Sequence, residues 1–186
     1  NEKIQGTNDS SIVSKRSVER LYWSKRTPGI NGKLINDQKT IVEFFRPFVS
    51  KPQRRSPTIN RGYWTRMEAI MNHIEFTINS SPYPKNVVVG LGAGFDPYPF
   101  QYLYNHAQER SSEIVFLDVD FPDLIKRKVS MIQQAPEVLN VIGEQLPIPE
   151  NLRDMVQLRT NSYIALGCDL TKLNDFTNAL ETLFDS

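Results

Sequence analysis

Residues 87–94 read Val-Val-Val-Gly-Leu-Gly-Ala-Gly, and this run narrows the available folds more than any other feature of the chain. Three β-branched residues in succession pattern as a strand buried on both faces, the kind found inside parallel sheets. The glycines at 90, 92 and 94 end that strand in a turn nearly free of side chains, where a ligand can approach the backbone. Asp96-Pro97 then reads as a helix cap with proline in the first turn, ahead of a helix through Phe100, Leu103 and Tyr104.

The same alternation continues downstream. A second apolar strand is predicted over 113–119 and a helix from Pro122 to about Gln134. After a proline-containing loop at 145–150 come a third short strand over 162–167 and a last helix over 174–184. Strands alternating with helices imply an α/β fold: a parallel sheet with right-handed crossovers, the first half of a doubly wound, Rossmann-like architecture. Three strands are visible where a full sheet of this type has about six, so the expectation is a sheet truncated at its C-terminal side.

Upstream the periodicity weakens. Thr27-Pro28-Gly29, Asn31-Gly32, Pro47, Pro52 and Pro57 interrupt residues 1–62. A helix is predicted from Ser10 to Trp23, capped by Asp9 or Ser10, and another from about Asp37 to Phe45, ending near Pro47. The clearest helical pattern spans 61–78, with Met67, Ile70, Met71, Ile74 and Ile78 on one face at spacings of three and four. The chain is therefore read as a helical extension or lid over 1–80 followed by an α/β domain over 81–186.

Charge is divided along the same line. Residues 1–66 carry 14 Lys and Arg against 5 Asp and Glu, whereas residues 67–186 carry 8 against 16. A basic front suits an anionic partner such as RNA, or the carboxylate of a cofactor; a solvated basic extension facing an acidic body explains the same numbers. No apolar run approaches the roughly 18–20 residues that cross a bilayer. The first seven residues hold no apolar signal-peptide core. The single cysteine, Cys168, excludes an internal disulfide and a multi-cysteine zinc site. A cytoplasmic protein without membrane contact is expected. His73 and His106 have no ligand-like partners, so no metal is expected either.

In an open parallel sheet, ligands bind beyond the carboxyl ends of the strands. Three groups gather there: the glycine turn at 90–94, Asp118-Val119-Asp120, and Gly167-Cys168-Asp169-Leu170. A dinucleotide needs GxGxxG, but the last position falls on Phe95 or Pro97 depending on the starting glycine. A glycine turn with an acid about 24–28 positions later suits a nucleoside without phosphates. The acid accepts both ribose hydroxyls, and the next strand end offers an aspartate for the adenine amino group and an apolar neighbour for the ring. S-adenosylmethionine is such a ligand. Helix capping is the competing account of Asp118, Asp120 and Asp169, and Cys168 reads as packing, with no histidine placed to activate it.

Gln5-Gly6-Thr7-Asn8-Asp9, Ser14-Lys15-Arg16-Ser17 and Ser56-Pro57-Thr58-Ile59-Asn60-Arg61-Gly62-Tyr63-Trp64-Thr65-Arg66, with the three groups above, resemble the leucine carboxyl methyltransferase family along nearly the whole chain. The resemblance implies a class I methyltransferase fold and S-adenosylmethionine as cofactor. It also implies roles. Lys15 and Arg66 look like the basic residues at the methionine end of the cofactor, with Arg66 as the catalytic candidate orienting a carboxylate. Gly92 looks like the glycine against the cofactor and Asp120 like the ribose acid, with Asp118 as runner-up. Asp169 and Leu170 look like the adenine pair.

Two branches of the family differ in substrate. One methylates the C-terminal leucine of a protein phosphatase catalytic subunit. The other methylates and methoxycarbonylates a modified guanosine beside the anticodon of phenylalanine tRNA, completing wybutosine. Asn8 to Ile12, Ser14 to Glu19 and Asp96-Pro97-Tyr98-Pro99-Phe100-Gln101 resemble the tRNA branch more closely. A non-catalytic module built on the fold is the alternative of a different class. Gly90 departs from the family, which has asparagine there, and a looser turn is the expected consequence. The resemblance also implies a later cofactor-binding glutamate, expected after Ser186.

Overall fold

Ser56 and Pro57 show how local chemistry fixes an element boundary. The Ser56 hydroxyl accepts the Ile59 N–H at 3.4 Å and Pro57 occupies the first helical turn, where its missing N–H costs nothing. Helix α2 therefore runs Pro57–Ser80, four residues earlier than its apolar spacing suggests. The computed structural model describes residues 2–23, 43–49, 51, 53–107 and 113–184. The chain divides into two compact units, residues 1–81 and 82–186.

In the first unit, helix α1 runs Glu2–Val18 and widens into a π-helical turn over Glu19–Trp23. It runs straight through positions 9 and 10, so the helix does not begin there, and it packs against α2. Most of the helix expected over 37–45 lies outside the described residues. Its end, Phe44 and Phe45, is a turn leading into a short 3-10 helix at Arg46–Phe48 that contains Pro47. On α2, Met67 and Ile78 are buried, while Ile70 on the same predicted stripe is exposed.

A buried charge cluster ties this unit together. Arg16 donates to Glu19 Oε2 at 2.6 Å and to Glu43 Oε2 at 2.5 Å, and the Phe45 N–H donates to Glu19 Oε1 at 3.2 Å. Burial pushes the Glu19 carboxyl up to about 7, against the pull of the Phe45 N–H and Arg16. Folding thus favours protonated Glu19. Its contribution to stability is complete below the ordinary value near 4.5 and is lost as pH rises through about 7. Urea unfolding at pH 5 and pH 8 should differ by up to about 3 kcal/mol from this group, and Glu19→Gln should flatten that difference.

The second unit holds a four-stranded sheet in the order β1-β2-β4-β3. Strands β1 (Lys85–Leu91), β2 (Glu113–Asp120) and β4 (Tyr163–Gly167) are parallel, and β3 (Val156–Arg159) is antiparallel to β4. The helices are α3 (Tyr98–Asn105), α4 (Pro122–Gln133), α5 (Pro136–Ile142) and α6 (Leu173–Phe184). One face of the sheet packs Val115, Leu117, Val119, Ile164 and Leu166 against Ala179 and Leu183 of α6. The other face meets α3 and α4, where the Tyr98 and Tyr102 rings lie 6.1 and 5.4 Å from Phe116.

Two expectations need correcting. Strand β3 and helix α5 join the predicted elements, so the sheet is not purely parallel. Strand β1 is not buried on both faces: Val87, Val89 and Leu91 are 38%, 40% and 60% exposed. They pair in register with Val115, Leu117 and Val119 and so share the α6 face. The core that α6 covers is built on β2, β3 and β4, and does not extend over β1.

Candidate functional site

The site grows from the way β1 ends. Gly90 lies opposite Asp118 in the parallel register, and a Cβ at Gly90 would come within 2.9 Å of Asp118 Oδ1. This glycine does not loosen the turn; it makes room for a buried carboxylate. The chain then folds over the tip of β2. Val119 O accepts the Gly92 and Ala93 N–H groups at 2.8 and 3.2 Å, and Asp120 Oδ2 accepts the Gly94 N–H at 2.8 Å. Gly92 and Gly94 have φ of +67° and +54°, the left-handed conformation that costs other residues about 1–2 kcal/mol.

Asp118 and Asp120 project to the same face of β2 and serve different ends. Asp118 is 4% exposed. Its Oδ2 accepts Lys128 Nζ at 2.6 Å and the Tyr163 hydroxyl at 2.9 Å. Lys128 Nζ also donates to Asp96 O at 2.8 Å, joining α4, β2 and the far end of the glycine loop. Burial pushes the Asp118 carboxyl up while Lys128 draws it down, and burial beside that carboxylate holds the Tyr163 hydroxyl protonated. Asp118 is thus committed beneath the loop. Asp120, half-buried at the strand tip, accepts the Phe121 N–H at 2.8 Å through its other oxygen.

The tip of β4 lies beside it. Gly167 pairs with Asp120, and the Cys168 N–H donates to Asp120 O at 2.9 Å. A Cβ at Gly167 would come within 2.9 Å of Pro122 Cα, so a glycine lets α4 start against β4. Asp169 Oδ1 accepts the Thr171 N–H at 3.0 Å and its hydroxyl at 2.8 Å, which hold the half-buried carboxyl below its ordinary range. These bonds close a local turn rather than capping α6, which begins at Leu173. Leu170 packs at the margin of the α6-side core, and Cys168 is buried within it, its thiol pushed up by burial.

Gly92, Asp120, Asp169 and Leu170 therefore stand on neighbouring strand ends of one unit. Lys15 and Arg66 belong to the other unit: Lys15 is half-buried on α1, and Arg66 is exposed on α2 with its guanidinium 6.0 Å from the Tyr63 ring. Sequence reading overlooked Lys128 and Tyr163. The signal for Lys128 was present, because it interrupts the apolar stripe Leu124, Ile125, Val129, Ile132 of α4.

The leucine carboxyl methyltransferase family model matches residues 7–185. The chain belongs to that family. Its sheet, with helices on both faces and the glycine turn leading from β1 toward an acidic β2 tip, is the Rossmann-like arrangement of class I methyltransferases. Among curated relatives, the tRNA wybutosine-synthesizing protein 4 of Candida albicans is 42% identical over 98% of this chain. The proteins of the same name from Saccharomyces cerevisiae and Gibberella zeae are 40% and 39% identical over 95% and 96% of it. The matched segment covers 24%, 26% and 16% of those three proteins, so the chain spans between about a sixth and about a quarter of the length of each.

Gly92 offers a direct test of whether a family ligand sits on this loop. Nothing lies within 4 Å of a Cβ built there. Gly92→Ala therefore meets only the backbone cost, about 1–2 kcal/mol of stability. If a ligand lies against the loop, the added methyl takes up the space of that approach. Adenosylmethionine affinity, read by calorimetry, should then fall about tenfold or more, beyond the effect on folding; a change confined to stability would count against contact at Gly92.

Proposed function

We propose that this chain carries the cofactor-binding region of an S-adenosylmethionine-dependent carboxyl methyltransferase of wybutosine synthesis, acting on hypomodified phenylalanine tRNA. The observation that supports it most directly is the 2.8 Å bond from the Gly94 N–H to Asp120 Oδ2, which ties the glycine turn to the acid of the next strand in a chain of this family. The residues suit a nucleoside. A carboxylate offers about four lone-pair positions, and Asp120 spends one of each oxygen on the protein. The remaining two match the vicinal ribose hydroxyls. Asp169, held ionised in its turn, accepts from the adenine amino group, and Leu170 stands beside it for the ring.

When bound, adenosylmethionine supplies a methyl group on a positively charged sulfur, ready for in-line displacement. The chain's own residues have a positioning task. A carboxylate acceptor is ionised near neutral pH, so no general base is needed, and rate comes from holding donor and acceptor in line. By the family resemblance, Lys15 and Arg66 would take the carboxylate at the methionine end, Arg66 through a two-pronged pair.

The names of the three relatives favour tRNA over the alternative substrate, the C-terminal leucine of a phosphatase catalytic subunit. The test is methyl transfer from labelled adenosylmethionine by the full-length protein, with hypomodified phenylalanine tRNA and phosphatase subunit offered separately. Label in the tRNA alone supports the proposal. Label in the phosphatase alone reverses the substrate, and adenosylmethionine binding without transfer to either would favour a non-catalytic module.

A further inference from the structure

Far from the glycine turn in sequence, and wholly within the first unit, the end of α1 and the segment leading into α2 enclose a cavity of about 510 Å³. That volume lies in the range of small-molecule and nucleotide sites. Among the described residues, Arg16, Arg20, Arg54 and Arg55 contribute four guanidinium groups to its lining, with Tyr22 and Asn60. Arg16 is paired with Glu19 and Glu43, and among the described residues no carboxylate lines the cavity. The described wall is therefore cationic.

Two polar groups in that wall lack partners. Asn60 is 2% exposed; its Nδ2 donates to Arg55 O at 3.2 Å, but its Oδ1 accepts nothing. Arg55 reaches Ser10 Oγ at 3.5 Å through Nη2, while its buried Nε has no acceptor. Buried polar groups are almost always satisfied. A missing partner that supplies both an acceptor for Arg55 and a donor for Asn60 accounts for the pair. The third component is aromatic: Tyr22 lines the cavity and stacks on Trp64, ring centroids 5.7 Å apart.

We propose that this cavity holds a nucleotide of single-stranded RNA, its phosphate on Arg54 and Arg55, its base beside Tyr22 with an N–H directed at Asn60 Oδ1. Arginine forks fit phosphate oxygens, aromatic rings take unstacked bases of any sequence, and amides read base edges. A free phosphate would satisfy the arginines and can donate a P–OH to Asn60 Oδ1, but it offers no ring to lie beside Tyr22. The inference rests on the tRNA reading, and assigns to the first unit a grip on the RNA outside the nucleotide being modified.

The test uses the full-length protein and a fluorescent anticodon-arm RNA, with binding followed by anisotropy across a salt series. Arg54→Ala/Arg55→Ala should weaken RNA binding about tenfold or more and reduce the slope of log affinity against log salt by about 1.4, two phosphate contacts' worth for single-stranded nucleic acid. Arg54→Ala alone, at an exposed side chain, should lose about half that slope. Tyr22→Ala should weaken binding and Tyr22→Phe restore it. Adenosylmethionine affinity measured on the same samples reports whether each variant is folded. Unchanged RNA affinity and slope in folded Arg54→Ala and double-variant protein would overturn the proposal, as would an acidic peptide that binds through these arginines when RNA does not. The two readings fail separately. Methylation of tRNA with a KM unchanged by Arg54→Ala/Arg55→Ala keeps the function and loses this site. Protein that binds RNA through Arg54 and Arg55 but transfers methyl only to phosphatase keeps the site and loses the function.

Discussion

Lys128→Met is expected to destabilise the protein by about 3–5 kcal/mol at neutral pH, the usual cost of removing one partner from a buried ion pair. Lys128 is fully buried, and its ammonium bonds Asp118 Oδ2 at 2.6 Å and Asp96 O at 2.8 Å. Without it, among the described residues Asp118 keeps the Tyr163 hydroxyl alone, and the Asp96 carbonyl loses its lysine donor. The sign of the pH effect follows from burial, which already pushes the Asp118 carboxyl up. With no lysine to oppose it, the variant's fold favours protonated Asp118. Its deficit should therefore be small in acid, below the ordinary aspartate range, and grow as pH rises. Adding Asp118→Asn should recover much of the loss at pH 7, because a neutral amide still accepts from Tyr163. Urea unfolding of the two variants at pH 5 and 7.5 decides the matter: a single variant within about 1 kcal/mol of wild type at neutral pH would show that the network carries little of the fold.

That network also marks where sequence reading ran out. The strand–glycine turn–acid arrangement was legible because each part has its own local signal: β-branched residues, missing side chains, a carboxylate at a strand end. Helix α4 was legible from Pro122 and its apolar stripe, and α6 from the same periodicity. The partner of Asp118 is a tertiary fact, since Lys128 lies one helix later and a lysine on a helix is ordinarily solvated. Gly90 was misread for a related reason. Its smallness answers to a side chain on the neighbouring strand, not to the turn it precedes. Strand β3 was missed because four residues, with Gln157 and Arg159 alternating against Val156 and Leu158, give a weak signal beside the uniformly buried β4. The exposed face of β1 was misjudged because composition announces an apolar strand but not which neighbours cover it. Asp118 and Asp120, two residues apart and equivalent by spacing, are separated only by depth: one is sealed under the loop, the other stands at its edge.

Asp120→Asn should abolish most adenosylmethionine binding, about a hundredfold or more in affinity, while leaving the protein folded. The carboxylate already accepts the Gly94 and Phe121 N–H groups, one on each oxygen. An amide has one oxygen for those two donors, and its NH2 must face the other. The variant thus loses a bond that shapes the glycine turn and, on the proposed geometry, also loses acceptors for the ribose hydroxyls. Hydrogen bonds to a charged group are worth about 1.5–3 kcal/mol each, and two of them exceed the roughly 2.7 kcal/mol that a hundredfold represents. Asp120→Glu keeps the charge but pushes it one methylene beyond the Gly94 N–H, so it should rescue little. Stability should fall by only about 1–2 kcal/mol, as for a lost hydrogen bond or cap at a half-buried position. Calorimetric titration alongside thermal unfolding separates the two effects. Wild-type affinity in a folded Asp120→Asn protein would remove the ribose contact from this strand tip and return Asp120 to a purely structural task, holding the loop to the sheet.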